Sequence, residues 1–199
     1  MAKALLVVDV QPTFCEGGEL PIEGGNQVAH DIADFVAKHR NNYDLICTTQ
    51  DWHISPGGHF SDQPDFVDSW PPHGLAGSAN AELHPALADL NADVAVKKGA
   101  YAAAYSGFEG EDADGHLLGA ILRERGITQI DVVGLAESHC VKDTAIDGVK
   151  EGLKVRVFLD LTKPVSEELG QAAREQMRRA GVLLTSSFLA LFFSTRAAS

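Results

Sequence analysis

Cysteine is scarce in this chain of 199 residues: Cys15, Cys47 and Cys140 are an odd number without close spacing, which excludes a disulfide framework and a zinc knuckle. Basic residues are outnumbered, 16 against 28 acidic, and the formal charge of −12 argues against nucleic acid or an anionic membrane as a partner. No run approaches the ~20 apolar residues of a membrane span. Met1-Ala2-Lys3 enters a strand-like run at once, with no apolar signal core. A cytoplasmic protein with reduced thiols and a small-molecule ligand is expected. The apolar stretch Phe188 to Phe193 is short and is expected to pack on the domain or on a partner subunit, so monomer and homo-oligomer both stay open.

With 45% hydrophobic and 22% charged residues, the length suits one well-buried core, a single domain over residues 1–199. Short β-branched runs alternate with amphipathic stretches. Strands are expected at Ala4 to Val8, Leu45 to Thr49, Ala92 to Val96, Ile130 to Val133, Val155 to Leu159 and Val182 to Thr185. Helices are expected at Asn26 to Arg40, Gly115 to Arg125, Ser138 or His139 to Glu151, and Ser166 to Ala180. This rhythm predicts an α/β fold of three layers, α/β/α, around a mostly parallel sheet of about six strands.

In such a sheet ligands bind at the carboxyl ends of the strands. Potent side chains stand there: Asp9, Asp51, Lys98 and, just beyond the fourth strand, Cys140. A helix start at Ser138 or His139 would place Cys140 in a first turn, where free amides and the helix dipole lower a thiol pKa and can cradle an oxyanion. The same residue also reads as a small buried apolar cysteine, the reading assigned to Cys15 and Cys47. Asp9 interrupts an apolar strand and must be paired; it is a candidate base, with Lys98 its natural partner, or else an ordinary salt bridge. Lys97 points the opposite way and is read as solvated.

From Asp51 to about Ala81 the chain is irregular and rich in Pro and Gly, and long ordered loops are usually functional. Asp51, His53, His59 and His73 supply one carboxylate and three imidazoles, a set suited to zinc, iron or manganese. Singly, each His would be a surface or capping residue. His30, His39, His84 and His116 lie on expected helices or their flanks and are read as structural.

Several motifs occur together: Val7-Val8-Asp9-Val10-Gln11, Phe14-Cys15-Glu16-Gly17-Gly18, and the run from Asp51-Trp52-His53 to Gly58-His59-Phe60. After them come Trp70-Pro71-Pro72-His73, Lys98-Gly99-Ala100-Tyr101, Tyr105-Ser106-Gly107-Phe108-Glu109, Gly134-Leu135-Ala136 and Cys140-Val141. In this order, over nearly the whole chain, they resemble the nicotinamidase/pyrazinamidase branch of the isochorismatase-like cysteine hydrolases. The resemblance implies a metal-dependent amidase that converts nicotinamide to nicotinate and ammonia through a cysteine thioester, accepts pyrazinamide, and serves NAD salvage. It implies Asp9, Lys98 and Cys140 as the catalytic triad, and Asp51, His53, His59 and His73 as ligands of one divalent ion, zinc or iron, with manganese as the alternative. It further implies a cis peptide at Leu135–Ala136, an oxyanion hole from the amides of Ala136 and Cys140, and a ring slot lined by Phe14, Trp70, Tyr105, Ala136 and His139. Many relatives carry Thr or Asp where this chain has Glu137-Ser138. The nearest rival is a related amidase acting on a carbamoyl or ureido group. Metal-activated water with Cys140 as bystander, and a non-catalytic binding module, are the others.

Overall fold

Strand β1 (Ala2–Val8) is apolar on both sides because both sides are covered: Ala4, Leu6 and Val8 enter one core, Leu5 and Val7 the other. The computed structural model describes residues 1–194. In it, β2 (Leu45–Asp51), β3 (Val94–Lys98), β4 (Ile127–Leu135), β5 (Lys154–Lys163) and β6 (Leu183–Thr185) join β1 in the order β3-β2-β1-β4-β5-β6. Every pair is parallel. One face is covered by α1 (Gly25–His39), whose Val28, Ile32, Phe35 and Val36 recur at helical spacing, with α5 (Ser187–Ser194) adding Ala190. The other face carries α2 (Leu118–Glu124), α3 (Lys142–Lys150) and α4 (Glu167–Ala180), through Leu118, Ile121, Leu122, Ala145 and Met177. The three-layer expectation therefore holds.

Between β1 and β4 the connections run outward in opposite directions, which opens a crevice at the carboxyl ends of the strands. The two strands come very close there. A Cβ on Gly134 (φ +119°) would lie 2.1 Å from the carbonyl oxygen of Val8, so glycine alone fits.

Several boundaries differ from expectation. The third strand runs on through Lys98, in register with Asp51. Lys97, on the opposite side, is exposed as expected, and its ammonium sits 3.2 Å above the centroid of the Trp52 ring. The helix expected from Gly115 starts at Leu118, because Asp112 accepts the amides of Asp114 and His116 and holds a turn there; His116 is thus off the helix. After β4 the residues Glu137–Val141 form a π-helical turn, and α3 begins only at Lys142. In the C-terminal apolar run Ala190 is buried while Phe188 is 73% exposed; the side chains of residues 191–193 lie outside those described. No helix among the described residues is long and apolar enough to cross a membrane.

Toward the amino ends of the strands, the fully buried Asp131 accepts hydrogen bonds from Arg156 Nε (2.6 Å) and Nη2 (2.7 Å) and from the Tyr43 hydroxyl (2.8 Å). Removing one member of a buried ion pair strands the other. Asp131→Asn is expected to lower the unfolding free energy by about 3 kcal/mol, read from a urea titration.

Candidate active site

Three strand ends deliver charge to one point. Asp9 follows β1 in a left-handed conformation (φ +47°), one that Asp tolerates better than most residues. Its Oδ1 accepts the Thr49 hydroxyl at 2.6 Å, and its Oδ2 lies 2.8 Å from Lys98 Nζ. Lys98, at the end of β3, also holds Asp51 Oδ1 at the end of β2, and stands 3.8 Å from Cys140 Sγ. Asp9, Asp51, Lys98 and Cys140 are all buried.

Burial raises the proton affinity of two of these groups. It raises Asp9 by more than the Lys98 ammonium lowers it. It likewise pushes the Cys140 thiol well above its ordinary range, against the pull of Lys98. The depressed thiol expected from a helix start is therefore corrected: Cys140 occupies the π-helical turn ahead of α3, and desolvation dominates. Lys98 is held well above the ordinary lysine range, since Asp51 and Asp9 together outweigh the opposing effect of burial. Asp51, despite the same burial, is kept well below the carboxylate range by Lys98, with His53 and His73 adding to it.

His53, His59 and His73 each direct one ring nitrogen into a group whose ligand atoms lie within 4.8 Å of one another. His53 Nδ1–H donates to the Gly99 carbonyl (2.6 Å) and His73 Nδ1–H to that of Pro71 (2.9 Å). A carbonyl only accepts, so each Nε2 carries a bare lone pair. Those two atoms face Asp51 Oδ2 at 3.4 and 3.6 Å, and the buried His53 Nε2 and His59 Nδ1 have no protein partner. Lone pairs converging on a carboxylate oxygen fit a divalent cation, and the imidazole and carboxylate donors suit zinc or iron. His59 is lowered to about 4, first of all by burial, which keeps it in the neutral, ligating form. The three imidazoles form the tight group; Asp51 approaches with one oxygen, its other being engaged by Lys98.

Gly99 makes this possible. At φ +77°, a Cβ there would lie 2.6 Å from Cε1 and 2.8 Å from Nδ1 of His53. Gly99→Ala is expected to displace that ring and weaken metal binding about tenfold or more, measured by competition with a chromophoric chelator.

The cation cluster and the thiol border one cavity of about 180 Å³. Phe14, Asp51, His59, Trp70, His73, Tyr105, Ala136, His139 and Cys140 all line it, whereas Asp9, Lys98 and His53 lie behind its wall. Trp70 Nε1–H donates to the Tyr105 hydroxyl at 3.0 Å and fixes that side of the slot. Leu135–Ala136 is cis, as the resemblance implied.

Several supporting residues were not foreseen. Gln11 is fully buried; its Oε1 accepts the Asp51 amide (2.9 Å) and its Nε2 donates to the carbonyls of Asp51 (3.0 Å) and Ala81 (2.7 Å). Its place two residues after Asp9 was the available signal. Thr49 braces Asp9 from β2 and has no such signal. Phe66 joins the cavity from a loop tip where Asp65 Oδ1 accepts the amides of Val67, Asp68 and Ser69. The Glu137 carboxylate, buried at the start of the nucleophile turn, accepts Arg174 Nε (2.6 Å) and the Thr162 hydroxyl (2.7 Å), tying that turn to α4 and β5.

The isochorismatase domain matches residues 3–187. The nicotinamidase/pyrazinamidase of Mycobacterium tuberculosis is 48% identical over 185 residues, 93% of this chain and 99% of its own length. Among solved structures, the pyrazinamidase of Pyrococcus horikoshii in complex with zinc superposes with a TM-score of 0.78 at 30% identity, covering 94% of this chain and 99% of that one. The L. infantum protein PnC1 in complex with nicotinate gives a TM-score of 0.80 at 30% identity, covering 94% and 93%.

Proposed function

The chain belongs to the isochorismatase domain family, and on that premise we propose that this site hydrolyses nicotinamide, and pyrazinamide with it, to the acid and ammonia in the cytoplasm. The observation that carries the reading is Lys98, whose ammonium lies 2.8 Å from the Asp9 carboxylate and 3.8 Å from Cys140 Sγ beside a cavity bounded by three histidines.

An aromatic carboxamide needs a strong nucleophile, a stabilised oxyanion and a proton for departing ammonia. Asp9 takes the Cys140 proton; its burial-raised affinity makes it a better base than an exposed carboxylate. Sγ attacks the amide carbon, and the amides of Ala136 and Cys140 receive the developing oxyanion. The proton on Asp9 passes to the nitrogen, the C–N bond breaks, ammonia leaves, and a thioester remains. Water, deprotonated by Asp9, attacks that thioester; the C–S bond breaks, the acid is released, and the proton returns to sulfur. Lys98 keeps Asp9 in place and offsets charge throughout. Asp51, His53, His59 and His73 would hold a divalent ion, zinc or iron, which would supply Lewis acidity toward a heteroaromatic ring and so help orient the substrate. Phe14, Trp70, Tyr105 and His139 enclose the ring.

Ammonia release from nicotinamide, with and without chelator, tests the proposal. Rapid, chelator-sensitive release is expected. No release by protein with one metal ion bound would overturn it in favour of a carbamoyl or ureido substrate.

A further inference from the structure

His139 stands in the wall of the slot, edge-on to Trp70 with ring centroids 5.5 Å apart. Its Nδ1 lies 2.9 Å from Oγ of its chain neighbour Ser138, and that Oγ also accepts the backbone N–H of Val165 at 3.1 Å. A hydroxyl has one hydrogen and two lone pairs. Ser138 is buried and its oxygen meets no other partner among the described residues. The arrangement that leaves its hydrogen satisfied is therefore donation to His139 Nδ1. Nδ1 then offers its lone pair, and the single proton of the neutral ring sits on Nε2. Burial, followed by the charge of Lys142, lowers His139 and favours that neutral form.

The position of Ser138 also orients the ring. Ser138 borders only the neighbouring cavity, whereas His139 borders both that cavity and the slot, so the ring edge away from Ser138 is turned toward the slot. No described residue hydrogen-bonds Nε2. We propose that Ser138 locks His139 as the Nε2–H tautomer, so that His139 donates a hydrogen bond into the slot and selects ligands presenting an acceptor, a carbonyl oxygen or a ring nitrogen, at that wall. A carboxylate at position 138 would do the reverse: it accepts Nδ1–H and leaves Nε2 as an acceptor. The serine thus sets the polarity of one wall. Ser138 is a positioning residue acting through His139, and the inference rests on the amidase reading for the identity of the ligand.

The test uses zinc-loaded, 15N-labelled protein. Long-range 1H–15N spectra should show His139, assigned by its disappearance in His139→Asn, as the Nε2–H tautomer. Ser138→Ala should lose that tautomer preference and raise KM for nicotinamide about five- to tenfold, with kcat changed less than about twofold. Ser138→Thr, which keeps the hydroxyl, should restore both. An Nδ1–H or doubly protonated ring in the parent protein at neutral pH would overturn the proposal, as would a Ser138→Ala variant with lost tautomer preference but unchanged KM. Absence of ammonia release from every form would count against the amidase reading alone, because the spectra decide the tautomer independently.

Discussion

Cys140→Ala is expected to reduce ammonia release from nicotinamide by about 10⁴-fold or more, since removing one member of a group that acts as a unit costs nearly as much as removing all of it. The variant should still bind metal at one equivalent. Cys140 Sγ contacts Lys98, while the His53 and His73 rings are anchored through Nδ1 by the carbonyls of Gly99 and Pro71, neither of which depends on the thiol. Only one heavy atom is removed, so the fold should survive. Metal content by elemental analysis, read beside turnover, separates the two halves of the site. Turnover retained at a tenth of the parent rate would sink the thioester route and leave metal-activated water as the chemistry.

The converse substitution is His53→Ala. His53 Nε2 is buried without a protein partner while Nδ1 is committed to Gly99, so its free lone pair serves nothing but a cation. Its loss removes one of three imidazoles and leaves Asp51 Oδ2 facing only His73. Loss of a supporting partner behind a ligand typically weakens metal binding 10- to 100-fold, so loss of the ligand itself should cost about 100-fold or more. Dialysed protein should come out metal-free, and kcat/KM should fall by a similar factor, with partial recovery in excess zinc. Parent-like metal content together with parent-like KM would show that His53 is no ligand. The two variants dissociate in opposite directions: the first keeps metal and loses chemistry, the second keeps the thiol and loses metal and ring positioning.

Asp51 is where the halves meet, one oxygen on Lys98 and the other on the histidine cluster. The strand-end placement of Asp9, Asp51 and Lys98 was legible because an apolar run broken by a charge is a local pattern, and so was the loop that gathers His53, His59 and His73 beyond β2. Thr49 and Gly99 were not legible as site residues, and Gln11 only through its place two residues after Asp9. Their partners lie 40 to 70 positions away in the chain, and a buried amide, hydroxyl or glycine leaves no periodic mark. Glu137 drew notice only as a departure from the family pattern; its reason, an ion pair with Arg174 at a separation of 37 positions, needed the packing of α4.

The linear chain by itself determined the layers, the parallel strand rhythm and the identities of the reactive groups, because alternation of apolar runs with amphipathic helices dictates which faces must be covered. Tertiary structure alone decided their chemical state. Whether Cys140 rests as thiol or thiolate, and whether Asp9 lies above or below an ordinary carboxylate, follows from how completely the sheet's crevice excludes water and where Lys98 stands. Desolvation and Coulomb interaction depend on distance in space, and neighbours in the chain do not fix that distance.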